Sequence, residues 1–198
     1  MGAVAALLAV PPLALGGSPP TEIQVGDDFF NPDHPAARSL GSGTGFHWTK
    51  AGNGFHNVRQ DDKLFRSGNP TTNPFDYGIT ASAGTYHYFC EIHGSASGGM
   101  DGVVKAEPDA FDFTPTQFTV KWAYAGTDTG NQFDVRFRVN DGQWRTWKED
   151  TDKFQGDFGK NGKPVTLKPG KAYDFEARSE KAGTSKRSDW SPKLHVVP

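Results

Sequence analysis

Hydrophobic and polar residues alternate in many short stretches of the chain, which is the period of β-strands that bury one face. The stretches in the first half are TEIQV (21–25), FHWT (46–49), FHNV (55–58), FDYGIT (75–80) and TYHYFC (85–90). Those in the second half are FTVKWAY (118–124), FDVRFRV (133–139) and YDFEARS (173–179). Because no long stretch has a helical period, the pattern predicts an all-β protein.

Turn residues separate the predicted strands. Asn140-Asp141-Gly142 stands between FDVRFRV and QWRTWK (143–148), which predicts a β-hairpin. Lys168-Pro169-Gly170 predicts another turn, just before YDFEARS. The 24 glycines and 14 prolines agree with short strands joined by many turns.

The stretch TYHYFC predicts which side chains share a face. Successive side chains of a strand point to opposite faces, so Tyr86, Tyr88 and Cys90 lie on one face and His87 and Phe89 on the other. The two tyrosines are typical of a core face. We therefore expect the Cys90 thiol at the inner end of a buried strand.

A change of composition near Glu107-Pro108-Asp109 predicts two domains, residues 19–107 and 108–198. The first carries a net charge of −4 and holds five of the six histidines and the only cysteine. The second carries +2 and holds four of the five tryptophans. The total of −2 gives no general attraction to nucleic acid or to an anionic membrane, so neither is expected as a partner.

Residues 1–18 form an apolar N-terminal segment. Its apolar run, from Ala3 to Leu15, is interrupted by two prolines and is shorter than the roughly 20 residues that span a bilayer. The chain is therefore not expected to be transmembrane. The run and the small residues that follow it predict an export signal, with a disordered tail as the alternative. Export would place the protein in the periplasm, the cell envelope or the extracellular space.

The single Cys90 has no partner for a disulfide within the chain, which leaves a buried apolar sulfur, a reactive nucleophile or a metal ligand. His93 follows three residues later and Met100 ends the next loop, so a strand end can bring all three together. His56 is the best candidate for a second imidazole. Two imidazoles, a thiolate and a weak axial thioether form the ligand set of blue-copper electron-transfer sites.

Residues 21–106 resemble a cupredoxin of the plastocyanin type. The motifs are Phe30-Asn31-Pro32, FHW (46–48), His56-Asn57-Val58 and GTYxYxCxxH (84–93), with Met100 and Gly102 beyond. The resemblance implies a Greek-key β-sandwich that binds one copper ion, cycling between Cu(I) and Cu(II). It implies His56, Cys90, His93 and Met100 as ligands. The six residues between His93 and Met100 exceed the spacing of typical plastocyanins.

The same resemblance implies two further roles. Asn57 would tie the His56 loop to the Cys90 strand, as the outer partners of metal ligands do. His93 would lie near the surface and offer its ring edge as the route of the electron, so a redox protein is expected to dock beside it.

Other chemistries fit the sequence less well. A dinuclear copper site needs two cysteines, and multicopper oxidases need His-x-His pairs that are absent. Structural zinc favours closed sets of four nitrogen and sulfur ligands, in which Met is a poor member. A Cys-His hydrolase needs a third group to orient its base, and no such group is evident. We therefore expect a carrier and not an enzyme.

Residues 109–197 resemble a fibronectin type III domain, an immunoglobulin-like β-sandwich. Trp122 matches the buried tryptophan of an early strand, and LKPGKAYDF (167–175) matches the turn and tyrosine corner, which implies that the Tyr173 hydroxyl bonds to nearby backbone. Trp144, Arg145 and Trp147 form either a contact patch or sheet packing, and we favour packing.

These observations lead to one main interpretation and two alternatives. The main interpretation is an exported copper protein that transfers single electrons, whose second domain serves docking or spacing against a cell-surface or protein partner. The first alternative is a copper-binding or copper-buffering protein without a redox partner. The second is a cell-surface adhesion module. Fold alone does not decide between them.

A substitution of the axial residue tests the ligand set. We expect Met100→Gln to keep the metal and to lower the reduction potential, because an amide oxygen favours Cu(II) more than a thioether does. Voltammetry of the two proteins provides the comparison. An unchanged potential would mean that Met100 does not bind the metal.

Overall fold

The structure, a computed structural model, describes residues 18–124 and 130–198. The predicted export segment, apart from Ser18, lies outside the described residues. No helix in the described part is long and apolar enough to cross a membrane.

The strands before Pro108 form two four-stranded sheets, as a β-sandwich requires. One sheet has the order β2-β1-β4-β6 and the other β3-β8-β7-β5. The strands are β1 (Thr21–Gly26), β2 (Phe29–Asn31), β3 (Arg38–Ser39), β4 (Gly45–Lys50), β5 (Arg59–Gln60), β6 (Asp76–Thr80), β7 (Gly84–Ser95) and β8 (Gly98–Glu107). A 3-10 turn, Leu40–Ser42, follows β3.

The strands after Pro108 form a second sandwich of a three-stranded and a four-stranded sheet. The orders are β13-β10-β9 and β12-β11-β14-β15, an immunoglobulin-like arrangement of the kind that fibronectin type III domains share. The strands are β9 (Asp109–Phe111), β10 (Phe118–Lys121), β11 (Asn131–Val139), β12 (Arg145–Thr151), β13 (Gln155–Phe158), β14 (Tyr173–Lys181) and β15 (Leu194–Val196). A 3-10 turn, Lys160–Gly162, follows β13. The all-β fold class is therefore confirmed.

Each sandwich encloses its own cluster of buried side chains. Tyr86, Tyr88 and Cys90 lie in the first cluster, so the predicted inner face of β7 is confirmed. His87 on the other face is exposed, whereas Phe89 is covered by the guanidinium of Arg59, 4.9 Å from its ring centre. The second cluster is rich in aromatic rings, with Trp122 and Phe175 fully buried.

Two predicted strands differ from the structure. FHNV (55–58) is not a strand, and His56 within it forms only an isolated bridge to Thr71. Hydrogen bonds from loop backbone and from side chains take the place of regular strand pairing there. FTVKWAY (118–124) forms β10 only as far as Lys121, since the Trp122 amide bonds to Phe154 in a loop.

The predicted turns and the tyrosine corner are present. Asn140 and Asp141 both have positive φ angles, which is the backbone of a two-residue hairpin turn, and β11 pairs with β12 as predicted. The Tyr173 hydroxyl accepts a hydrogen bond of 2.9 Å from the Lys168 amide. This contact fixes the Lys168–Gly170 turn against the start of β14.

The aromatic residues of β12 and its entry serve mainly as packing. Trp147 contacts Trp122 edge-on, with ring centres 5.7 Å apart, so it extends the second core. Trp144 lies under the guanidinium of Arg136, at 4.8 Å, and Arg145 covers Phe137. The packing interpretation is confirmed for Trp147.

The two sandwiches share a junction at the beginning of β7. The Ala83 amide donates to the Trp122 carbonyl at 2.7 Å, and the backbones of Thr85 and Asp189 exchange two hydrogen bonds of 3.1 and 3.0 Å. Leu40, which precedes Pro108 in the chain, is fully buried in the second core. The strand that carries Cys90 is therefore anchored in the second half of the chain.

A cavity at Leu40 tests how strongly this junction stabilises the protein. We expect Leu40→Ala to lower the free energy of unfolding by about 2–5 kcal/mol, because the deletion leaves an unfilled space in a packed core. Urea unfolding of the purified chain gives the value. Leu64→Ala, at a half-buried position beside the first core, is the control. A loss for Leu40→Ala no larger than that of the control would contradict the prediction.

Candidate metal centre

The pairing of β7 with β8 is interrupted at the candidate site. On one side of the interruption Phe89 pairs with Asp101, and on the other side Gly94 pairs with Gly99. Four residues of β7 therefore face a single residue of β8, Met100. Such bulges re-aim side chains and recur next to functional sites.

Two glycines allow the strands to approach closely beyond the bulge. A Cβ at Gly94 would lie 2.5 Å from the Met100 carbonyl oxygen, and one at Gly99 would lie 2.6 Å from that of His93. Gly99 also has a φ of +104°, which residues with side chains rarely adopt. Gly94 and Gly99 are thus required by the close approach of the two strands.

Three potential metal-binding atoms converge inside the bulge. The Cys90 sulfur lies 3.8 Å from His56 Nδ1 and 3.7 Å from His93 Nδ1. The two Nδ1 atoms are 3.2 Å apart. All three separations are shorter than two metal–ligand bonds of about 2.0–2.3 Å placed end to end, so one ion between the atoms fits. Cys90 and His56 are buried.

Met100 is buried at the position that faces the bulge. Its residue is 2% exposed and belongs to the same core cluster as Cys90. The long spacing from His93 is accommodated because the hairpin turn, with Ser95 paired to Gly98, takes up the additional residues. Met100, the predicted fourth ligand, thus lies on β8, which pairs with the strand that carries Cys90.

His56 is held in place at both its backbone and its ring. Its backbone exchanges hydrogen bonds of 3.1 and 3.0 Å with Thr71. Its Nε2 atom lies 3.0 Å from Asp27 Oδ1, which also accepts a bond of 2.8 Å from the Gly54 amide. The ring therefore has one nitrogen occupied by Asp27, and the other faces Cys90.

The Asp27 carboxylate beside that ring is a hydrogen-bond acceptor. Hydrogen bonds from the Gly54 amide and the His56 ring lower the pKa of Asp27 to about 2. The carboxylate is therefore ionised at neutral pH and only accepts hydrogen bonds. The partner that suits this carboxylate is an Nε2–H donor, and Nδ1 is the ring nitrogen that faces the cluster.

Asn57 joins the loop of His56 to the strand of Cys90. Its side-chain oxygen accepts from the Glu91 amide at 2.9 Å, and its side-chain nitrogen donates to the Gly68 carbonyl at 2.9 Å and to the Glu91 carboxylate at 2.6 Å. Asn57 itself is buried, whereas Glu91 is half-buried, so these bonds are partly shielded from water. The predicted tie between the two segments is present as a set of direct contacts.

Glu91 connects the bulge to a basic side chain. Its carboxylate accepts two hydrogen bonds from the Arg66 guanidinium, at 2.9 and 2.7 Å. Partial burial alone would raise the pKa of Glu91, but the bonds from Arg66 and Asn57 outweigh it and lower the pKa. The ionised carboxylate therefore holds the residue after Cys90 in place.

His93 forms the exposed side of the cluster. Its side chain is 29% exposed, and its Nδ1 atom lies 3.7 Å from an Asp28 carboxylate oxygen. Phe55 and Ile92, which precede the two histidines in the chain, are 56% and 57% exposed, and Phe29, which follows Asp28, is also exposed. Exposed apolar residues therefore stand next in the chain to both histidines and to Asp28, whose carboxylate lies beside His93.

The other histidines of the first sandwich lie outside the cluster. His47 bonds to Glu22 at 2.6 Å and also to Asp76, and these bonds raise its pKa. His34 and His87 are exposed and lie beside aspartates. Across residues 18–124 and 130–198, the group His56, Cys90 and His93 is the one set of at least three ligand-type side chains close enough to share an ion.

Sequence reasoning missed the acidic residues around the cluster. Asp27 contacts His56 across 29 positions of the chain, and Glu91 contacts Asn57 across 34. The sequence shows two consecutive aspartates, Asp27 and Asp28, which form the turn between β1 and β2. It does not show that this turn lies against the loop of His56.

Comparisons with known proteins give no family. No protein-family model matches the chain, and no curated protein matches it. A solved cytokine receptor complex (crystal form 1A) is 16% identical with a TM-score of 0.35, covering 78% of this chain and 91% of that one. The chicken CNTN1 FN1–FN3 domains are 11% identical with a TM-score of 0.34, covering 91% of this chain and 65% of that one. Because both TM-scores are below 0.5, the assignment of the fold rests on the strands and sheets described above and not on these similarities.

Removal of the Asn57 side chain tests its contribution to the site. We expect Asn57→Ala to lower the free energy of unfolding of the metal-free protein by about 1–3 kcal/mol, because the half-buried Glu91 amide loses the partner that the buried Asn57 side chain provides. Chemical denaturation without added metal measures the change. Asn73→Ala, at an exposed position, provides the control. Equal stability of the two variants would show that the bonds of Asn57 contribute nothing.

Proposed function

We propose that this protein binds one copper ion and transfers single electrons. The ligands are His56, Cys90 and His93, with Met100 as a weak fourth ligand. The observation that carries the proposal is the convergence of two imidazole nitrogens and one sulfur within 4.8 Å of one another. Together with a buried thioether, these donors form the His₂Cys(Met) set of blue-copper sites.

The chain supplies a rigid and mostly dry set of donors. Bound copper would supply a one-electron couple between Cu(I) and Cu(II). Asn57 fixes the distance between the His56 loop and the Cys90 strand, and the bulge fixes Cys90 relative to His93. Donors held in this way move little between the two oxidation states, which favours fast electron transfer over tight storage.

The proposed route of the electron is the exposed edge of His93. Exposed apolar residues stand next in the chain to His93, His56 and Asp28, namely Ile92, Phe55 and Phe29, and Asp27 and Asp28 add negative charge. A redox protein with a complementary apolar and basic surface would fit this face. The protein then acts as a carrier between partners and not as an enzyme.

Docking through the second sandwich is the second proposed function. Residues 159–172 carry four lysines and no acidic residue. They lead into β14 at Tyr173, whereas Ser179 at the other end of β14 approaches Ser82 at the junction. The basic segment therefore lies at the end of the second sandwich away from the first, where an anionic cell-surface polymer or an acidic protein could bind. Binding of this kind would also serve a cell-surface adhesion module, and it agrees with an exported location.

Copper binding and colour test the proposed function. We expect the purified protein to take up one equivalent of Cu(II), to become intensely blue through the Cys90 thiolate, and to lose the colour on addition of ascorbate. Cys90→Ser is expected to abolish the blue absorption. His87→Gln, which alters an exposed histidine of the same strand, is the control and is expected to stay blue.

Three results would count against this function. The wild-type protein could stay colourless with stoichiometric Cu(II). The blue colour could persist in Cys90→Ser, or it could be lost in His87→Gln as it is in Cys90→Ser. Tight copper binding with slow, irreversible reduction in voltammetry would favour the buffering alternative over the carrier.

A further inference from the structure

The β1–β2 turn brings a carboxylate to the rear of His56. Val25 pairs with Phe30 and Gly26 with Phe29, so Asp27 and Asp28 form the two-residue turn between the strands. Asp27 Oδ1 lies 3.0 Å from the His56 nitrogen that faces away from Cys90.

The loop before His56 is shaped around this carboxylate. A Cβ at Gly52 would collide with Asp27 Oδ1, and one at Gly54 would lie 3.2 Å from the same oxygen and 2.8 Å from His56 Nε2. The Gly54 amide donates to Asp27 Oδ1 at 2.8 Å. Two glycines thus leave room for the carboxylate, and one of them binds it. The contact is built into the loop and is not a chance approach of surface side chains.

We propose that Asp27 is a positioning residue for the metal centre, which holds His56 as the Nε2-protonated tautomer and adds negative charge behind the ligand. This inference rests on the proposed copper function for its effect on the metal. Its first part concerns the imidazole alone. A carboxylate that accepts from Nε2–H keeps Nδ1 free for a metal and makes the ring a stronger donor. A stronger donor and a nearby negative charge both favour Cu(II), so Asp27 lowers the reduction potential.

The other carboxylates near the cluster do not share this geometry. Asp28 lies 3.7 Å from Nδ1 of His93, which is the atom that faces the cluster, so it does not orient that ring from behind. Glu91 is engaged by Asn57 and Arg66. Asp27 is therefore the one described carboxylate that contacts the distal nitrogen of a proposed ligand.

The experiment compares Asp27→Asn with wild type and with Asp33→Asn. Asp27→Asn removes the charge and allows the amide to donate to His56, whereas Asp33→Asn removes the same charge from an exposed side chain of this half whose ion-pair partner is His34. We expect Asp27→Asn to raise the reduction potential and to weaken Cu(II) binding about 10–100-fold. Asp33→Asn is expected to leave Cu(II) affinity within about twofold of wild type, since it contacts no ligand.

A second readout needs no metal. Nitrogen-15 NMR of the imidazoles in the metal-free protein is expected to show His56 protonated at Nε2 in wild type and in Asp33→Asn, and partly at Nδ1 in Asp27→Asn. This separates the two proposals: a colourless wild type with the expected tautomers overturns the copper function alone. Nδ1 protonation in wild type, or equal shifts of potential and affinity in the two variants, overturns the role of Asp27.

Discussion

The candidate metal centre depends on the interrupted pairing of β7 and β8. In a regular strand Cys90 and His93, three positions apart, would point to opposite faces of the sheet. The bulge places four residues against Met100 alone, and this lets the His93 ring turn back until its Nδ1 atom is 3.7 Å from the Cys90 sulfur. One departure from regular sheet geometry within β7 therefore brings the donors together.

The parts of this arrangement that are local in sequence could be predicted. The alternation in TYHYFC was sufficient to place Cys90 on a buried face. The predicted strand end at Cys90 was wrong, because β7 continues to Ser95 and only its pairing with β8 is interrupted after Phe89. The FHNV stretch was wrongly predicted to be a strand. The Asn57 side chain accepts a hydrogen bond from the Glu91 amide, where a strand would use its backbone carbonyl, and the alternation of residues does not reveal this difference. The role of Asp27 depends on how two separate loops meet, and no local pattern contains that information.

The strand that carries the donors also joins the two halves of the protein. β7 begins at Gly84, next to the backbone bonds between Thr85 and Asp189, and reaches Cys90 six residues later. A strand rises about 3.3 Å per residue, so roughly 17 Å separate Thr85 at the junction from Cys90. The second sandwich thus contacts the first residues of β7, whereas the cluster lies farther along the strand, where His93 is partly exposed.

The burial of Leu40 in the core of the other sandwich bears on how such a chain can be inherited. Recombination at Pro108 would leave a cavity in the core of the second sandwich and would expose Leu40 on the first half. A new first half would have to supply a side chain that fills this cavity. The two halves are therefore expected to be inherited together, although each has sheets of its own.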